Sequence, residues 1–551
     1  MKRPAGAVEL ARLRRVIRQL ARRRFTDAPS LIRFHESLLF MRAYPQSPAH
    51  LRETEPLLSS FKKRVEALEE AGADMTPFTE PDVSGIAGTS FSALFSYEVV
   101  REIARLFPSQ TSIDWEGYEE FERFGATLSK MLPLLEENAY VEPRFPFQEW
   151  LKAARPKGEG ELAWLLRQFE RLRVSGKVKA ALFNSLKLWL YWEFRNDRRS
   201  RTHMKRAVRK VFYHDGALIH RREVSLEREL EAAALPVRKL SHKEGQELLD
   251  MGRATMAARY RELHGFTYGD ARSVLRAEVG RGVELFLWGV PFENRLPTLG
   301  YHAALIFKNG VPHGYAEALS LFERSEVGLN LFYTFREGES AWIYARLLRL
   351  LRQTLGVTVF SIDPYQLGFH NEEGIESGAF WFYRKLGFRP TQPELSELCM
   401  AEEERIERRK GYRTPAKALR KLASGHVLYE HAGRGGWDNF HVRNLGLAVA
   451  HRMGEHFKGD AEALREASVR KVARSLNASP DEWNEDEQRA FSDWSLLLAM
   501  LPDLSRWSDD EKSSLVETVR AKAGALETRY LRLLQQQSRL RREIIGLGSG
   551  R

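Results

Sequence analysis

Asn309-Gly310 stands between two long apolar runs, residues 302–308 (HAALIFK) and 311–323 (VPHGYAEALSLFE). A tight type I′ turn needs positive φ at both central residues, and Asn-Gly is the pair that supplies it. The two runs are expected to pair as an antiparallel hairpin, which commits this part of the chain to a sheet. A third apolar run, 326–335 (EVGLNLFYTF), follows at once; an apolar-faced helix over 340–356 then leads to a fourth strand at 357–366 (VTVFSIDPYQ). Antiparallel strands followed by a strand, helix, strand crossover predict a mixed sheet with helices on its faces.

Weaker signals extend this unit in both directions. Upstream, Asp215-Gly216 between 211–214 (VFYH) and 217–220 (ALIH) reads as a first hairpin, followed by a strand at 237–241, helices at 242–265 and 270–279, and a strand at 283–291. Downstream come a helix over 376–387, a charged helix over 394–410, and a short strand at 426–430 (HVLYE). The flanks read as helical. Leu10, Leu13, Ile17 and Leu20 recur at helical spacing near the start, and Val519, Ala523, Leu526, Tyr530, Leu533, Leu540 and Ile544 form a three-four seam near the end. That seam is expected to pack on the chain's own helices, with self-association as its other use. Residues 81–90 (PDVSGIAGTS) read as a turn and helix cap. The expected fold is therefore a central α/β domain, residues 211–430 with its core at 236–390, between mainly α-helical regions at 1–210 and 431–551.

At 551 residues, 43% hydrophobic and 29% charged, the chain has the make-up of a soluble protein of two to four domains. No run approaches ~18 uninterrupted apolar residues, so no transmembrane segment is expected, and a start with Lys2 and Arg3 in a charged helical pattern fits the cytoplasm. A single cysteine, Cys399, excludes an internal disulfide and a cysteine-rich metal site. The net charge of +12, concentrated at 12–24 and 195–210, favours an acidic partner such as a carrier protein or RNA, although solvated helix faces account for such runs equally. His302, His313, His441 and His451 lack helical ligand spacing with a nearby acid, so no metal is expected.

The strand and helix order, together with Ala379, Phe382-Tyr383 and Leu386-Gly387-Phe388 at their spacing, resembles the Gcn5-related N-acetyltransferase superfamily over about 236–430. The resemblance implies an N-acyltransferase with acetyl-CoA or another acyl-CoA as donor and an amine-bearing small molecule or protein as acceptor. It implies that Tyr383 protonates the leaving thiolate, that backbone N–H groups of Phe332, Tyr333 and Thr334 polarise the carbonyl, and that the loop of Arg336, Gly338, Ser340 and Ala341 holds the cofactor diphosphate. In that loop Arg336 and Ala341 match in register, but Glu339 stands where the first glycine belongs and Gly338 comes one residue early. Two carboxylates, Glu337 and Glu339, beside a diphosphate would each repel it by about 1 kcal/mol at water-like screening. Glu376 also replaces a frequent asparagine. Of the acids and bases on the neighbouring strands, His313, Glu317 and Glu326, Glu317 is the first choice for deprotonating the amine. The same fold can serve an acyl-carrier-protein or aminoacyl-tRNA donor, or act as a non-catalytic scaffold.

Overall fold

The computed structural model describes residues 7–141, 147–195 and 199–550. Lys2, Arg3 and positions 196–198 of the basic run lie outside them. No helix among the described residues is long and apolar enough to cross a membrane. Near the start, Asp27 caps helix α1 (Ala28–Ala43) by accepting the Ser30 N–H at 2.8 Å, and Pro29 occupies the first turn, where its missing N–H costs nothing. The N-terminal region is not wholly helical. Strands β1 (Ser90–Leu94), β2 (Thr111–Ile113) and β3 (Trp189–Glu193) form a small antiparallel sheet with β3 in the middle. Its core gathers Phe91, Phe107, Trp192 and Phe194, and the alternation of buried Leu190 and Trp192 with exposed Trp189 and Tyr191 is a two-residue period.

The central sheet has nine strands: β4 (Val237–Lys239), β5 (Leu275–Gly280), β6 (Val283–Trp288), β7 (Gly300–Lys308), β8 (Val311–Leu321), β9 (Arg324–Leu331), β10 (Val359–Ile362), β11 (Arg389–Pro390) and β12 (Val427–Glu430). They lie in the order β11-β12-β10-β9-β8-β7-β6-β5-β4. Every neighbouring pair is antiparallel except β9 with β10. Asn309 and Gly310 take φ of 48° and 78°, as the tight turn between β7 and β8 requires. Residues 270–279, expected as a helix, instead enter β5. Leu275, Ala277 and Val279 alternate along it, and Gly280, Arg281 and Gly282 all adopt positive φ to turn the chain back into β6.

Helix α2 (His242–Ala257) opens with a capping box between Ser241 and Glu244 and lies on one face of the sheet, where Leu248, Leu249 and Met256 meet Phe286, Leu305 and Phe307. The α1 residues Leu31, Phe34 and Leu38 share that core. Helix α3 (Ser340–Leu355) covers the other face. It buries Ile343, Tyr344, Leu347, Leu348, Leu351 and Leu355, each fully buried leucine stabilising by about 2 kcal/mol, and ends on Gly356 at φ 80°. The short helices α4 (Pro364–Leu367) and α5 (Ala379–Arg384) follow β10.

Residues 211–220 make no hairpin. Their backbone groups are claimed elsewhere: Phe212 N–H by the Asn309 side chain (2.8 Å), His214 N–H by Pro45 C=O (2.8 Å), and Ile219 N–H by Glu339 (3.2 Å). A strand partner cannot compete once those donors are spent. Part of the described basic run before it is absorbed as well, while Arg209 and Lys210 stay exposed. Arg201 pairs with Glu36 at 2.6 Å in the interior, Lys205 with Glu55 at 2.9 Å, and Arg206 with Glu284 at 3.1 Å while stacking on Phe286. The C-terminal seam is likewise spent within the chain. It breaks into three helices, Asp509–Ala521, Glu527–Leu534 and Ser538–Gly548, and Val519, Tyr530, Leu540 and Ile544 are buried in the same core as α3.

Candidate functional site

Strand β9 carries the residues that decide what this domain can do, because each of its ends runs into a cluster of charge. Its alternation sorts the faces. Val327, Leu329 and Leu331 pack toward the α3 core, whereas Glu326, Gly328 and Asn330 sit opposite Leu319, Glu317 and Tyr315 of β8 on the other face.

At the C-terminal end the chain fills the start of α3 with its own groups. Glu339 is fully buried. Its carboxylate accepts from Arg281 Nε at 2.7 Å, Lys308 Nζ at 3.0 Å and Ile219 N–H at 3.2 Å, and its own N–H donates to the Tyr44 hydroxyl at 3.3 Å. Burial raises the Glu339 pKa, but Lys308 and Arg281 outweigh it and hold the group ionised. Burial also pulls Lys308 down, to about 8. A Cβ on Gly338 would collide with the Tyr44 hydroxyl.

The other residues expected to hold the cofactor are committed in the same way. Phe332 lies under the Arg259 guanidinium at 3.9 Å, and its N–H donates to His313 C=O at 3.1 Å. Thr334 bonds Glu36 and accepts from Arg201 at 3.0 Å. Arg336 pairs with Glu373 and donates to Leu331 C=O at 3.3 Å. Ser340 Oγ donates to Arg336 C=O at 2.8 Å, Ala341 is buried, and Tyr333 is turned outward with 57% of its surface exposed. The N–H groups of Phe335, Arg336 and Gly338 bond Phe332, Tyr333 and Phe335 carbonyls. A diphosphate needs free amides and no competing anion at a helix start. Beside the Gly338 and Glu339 amides that place is taken by the Tyr44 hydroxyl, and the Glu339 carboxylate is buried next to it.

Tyr383 is 4% exposed on the α3 side of the sheet. Its ring meets Tyr344 edge-on at 5.6 Å and Phe388 at 5.7 Å, and burial pushes its phenol pKa up. It packs as an aromatic core residue. His313 belongs to the filled end: it is fully buried, stacked on Phe335, and 3.2 Å from the Tyr44 hydroxyl, with burial driving its pKa far below the usual imidazole value. Glu317, across from Gly328, accepts from the Tyr301 hydroxyl, which itself accepts from Gly265 N–H at 2.9 Å.

At the N-terminal end of β9 the arrangement is open. The parallel ladder with β10 runs for three pairs, Arg324 with Val359, Ser325 with Phe360 and Glu326 with Ser361; β10 ends at Ile362, where the chain enters α4, and the Gln366 side chain lies against Gly328 of the longer β9. Beside this parting is a cavity of about 420 Å³ lined by Arg324, Glu326, Asp363, His426, His441 and Arg443, with Leu299, Leu319, Leu321 and Phe440 as its apolar wall. That volume is in the range of small-molecule sites, ~300–1,000 Å³. His426 Nε2 is 3.5 Å from Glu326 Oε2 and 3.7 Å from Asp363 Oδ2, and Arg324 Nη2 donates to Glu326 at 3.2 Å. Burial raises the Glu326 pKa, but His426 and Arg324 outweigh it and the net shift is downward, so Glu326 is an ionised acceptor at neutral pH. Glu326, Asp363 and His426 offer ligand atoms within 4.8 Å of one another, a set that can also hold a metal ion.

Of the sequence-stated bases, then, Glu326 is the one the tertiary structure brings to a cavity with other titratable groups. Asp363, His426, Arg324 and Arg443 had no sequence signal and His441 was only one of several scattered histidines, since these residues come from segments as much as about 120 residues apart with no motif spacing. No family model, no curated protein and no solved structure matches this chain.

Proposed function

We propose that the central domain transfers an acyl group to an amine in the cavity where β9 and β10 part, and that its donor does not seat a diphosphate at the start of α3. The observation that carries this reading is the cavity at the end of the three-pair parallel ladder, where the carboxylate of Glu326 lies beside His426. The sheet order and the crossover through α3 agree with the N-acetyltransferase resemblance. In the transfer, the amine nitrogen bonds the acyl carbon, the bond from that carbon to its carrier oxygen or sulfur breaks, and the amine proton passes to Glu326. The carrier atom leaves with a proton from water or from His426.

The filled helix start favours a donor held by a larger body, an acyl group on a carrier protein or an aminoacyl ester on tRNA, and the +12 charge suits either acidic partner. A second reading, a non-catalytic scaffold, draws on the same filled helix start and on the packed Tyr383. Thermal shift with acetyl-CoA, a longer acyl-CoA and free CoA is expected to show no stabilisation; a saturable shift would sink the donor assignment. Transfer to an amine from acyl carrier protein and from aminoacyl-tRNA is then measured. Glu326→Gln should lower it at least ~100-fold and Tyr383→Phe should leave it unchanged. Full transfer by Glu326→Gln rejects the base, and no transfer from any donor favours the scaffold.

A further inference from the structure

We infer that the ligand of the cavity at the N-terminal end of β9 is a free α-amino acid with an apolar side chain, recognised at both its amine and its carboxylate. The cavity presents both signs of charge at close quarters. Glu326 and Asp363 flank His426 at 3.5 Å and 3.7 Å and supply acceptors for an ammonium group. Arg324 supplies the opposite charge: its side chain is 7% exposed and stacks over Trp437 and Phe440 at 5.7 Å and 5.4 Å. Among the described residues its recorded bond is the single one to Glu326. A guanidinium held in that way has donors to give a carboxylate, whose two oxygens match its fork. Arg443, exposed on the helix Val442–Phe457, adds a second cation at the rim.

Ligands of one sign fit less well. A lone amine leaves Arg324 underused, and a lone carboxylate meets Glu326 and Asp363. A divalent cation on Glu326, Asp363 and His426 would have the Arg324 guanidinium bonded to one of its own ligand oxygens. An amine and a carboxylate on one small molecule answer both charges, and Leu299, Leu319, Leu321 and Phe440 give an apolar side chain one wall, with Gln392 and Ser424 also lining the cavity.

This inference rests on the acyltransfer reading only in taking the cavity as the acceptor site, so its test measures binding alone. Calorimetry on the full chain uses leucine, isoamylamine, which lacks the carboxylate, and N-acetylleucine, which lacks the amine. Leucine should bind at least tenfold more tightly than either. Glu326→Gln and Asp363→Asn should weaken leucine and isoamylamine and should not weaken N-acetylleucine, whose carboxylate they relieve of a like charge. Arg443→Ala, on the surface, should weaken leucine and N-acetylleucine, and it keeps the carboxylate arm testable if substitutions at the buried Arg324 fail to fold. Isoamylamine binding as tightly as leucine overturns the inference, as does no binding by leucine, valine, methionine or phenylalanine. Saturable Zn²⁺ or Mn²⁺ binding that Glu326→Gln abolishes, without amino-acid binding, overturns it in favour of a metal centre. Amino-acid binding without transfer would reject the acyltransfer reading alone, and transfer to a plain amine without amino-acid binding would do the reverse.

Discussion

Strand β9 joins two charged clusters about 20 Å apart that are built from the same kinds of residue and behave in opposite ways. At its C-terminal end Glu339 meets Lys308, Arg281 and Ile219 N–H, and none of its carboxylate is left for a ligand. At its N-terminal end Glu326 meets Arg324 and His426 beside a cavity that Asp363 also lines. The difference teaches that charge density does not mark a site. What marks one is charge whose partners are incomplete and which a small molecule can reach.

The contrast is broken most severely at the filled end. Glu339→Gln should cost about 3 kcal/mol, read from the urea unfolding midpoint, because it strands the fully buried Lys308 and unpairs the partly exposed Arg281. A cost under about 1 kcal/mol would mean that the cluster is hydrated and the helix start accessible. Acid should act on the same end. Glu36, which binds Arg201 and Thr334 there, is raised by burial but lowered more by Arg201, His35 and Thr334 together, to about 2 from 4.5. A carboxylate depressed on folding contributes stability that is fully present above its unfolded pKa and is lost as pH falls through its folded one. About 3 kcal/mol should therefore disappear between pH 4.5 and about 2, and Glu36→Gln should flatten that limb of the stability curve.

Tyr44→Phe probes the lid on the helix start more gently. Removing the hydroxyl leaves Glu339 N–H and His313 Nε2 without that partner and should cost about 1–2 kcal/mol by thermal unfolding. The open end should respond least. Glu326→Gln is expected to cost about 1 kcal/mol in the same urea measurement, because the amide oxygen can still accept from the buried Arg324. If it destabilises as much as Glu339→Gln, the two ends are equally structural and the functional contrast between them fails.

The parts of the fold that sequence disclosed are those governed by neighbours along the chain. Asn309-Gly310 fixed its hairpin because the turn needs positive φ from both residues, and Ser340 to Gly356 formed the expected helix because apolar period and glycine cap agree. Asp215-Gly216 carried a similar turn signal and made no hairpin, since Asn309, Pro45 and Glu339 claim the backbone around it. The seam from Val519 to Ile544 had the right spacing for one helix, but turns after Ala521 and Leu534 fold it back onto the chain's own core. Glu339 was legible as an oddity; that it completes an ion cluster with Lys308 and Arg281 was not.

By itself the sequence determined a mixed sheet with a helical crossover, the start and end of α3, and the presence of an acid where a phosphate loop would carry glycine. Only the tertiary structure decided which acid is sealed and which is open. Glu339 and Glu326 are alike as residues, and their difference comes from partners contributed by remote segments: Lys308, Arg281 and Tyr44 in one case, His426, Asp363 and a cavity in the other. Local spacing encodes turns, caps and faces, whereas the surroundings of a charge depend on long-range packing that no sequence period records.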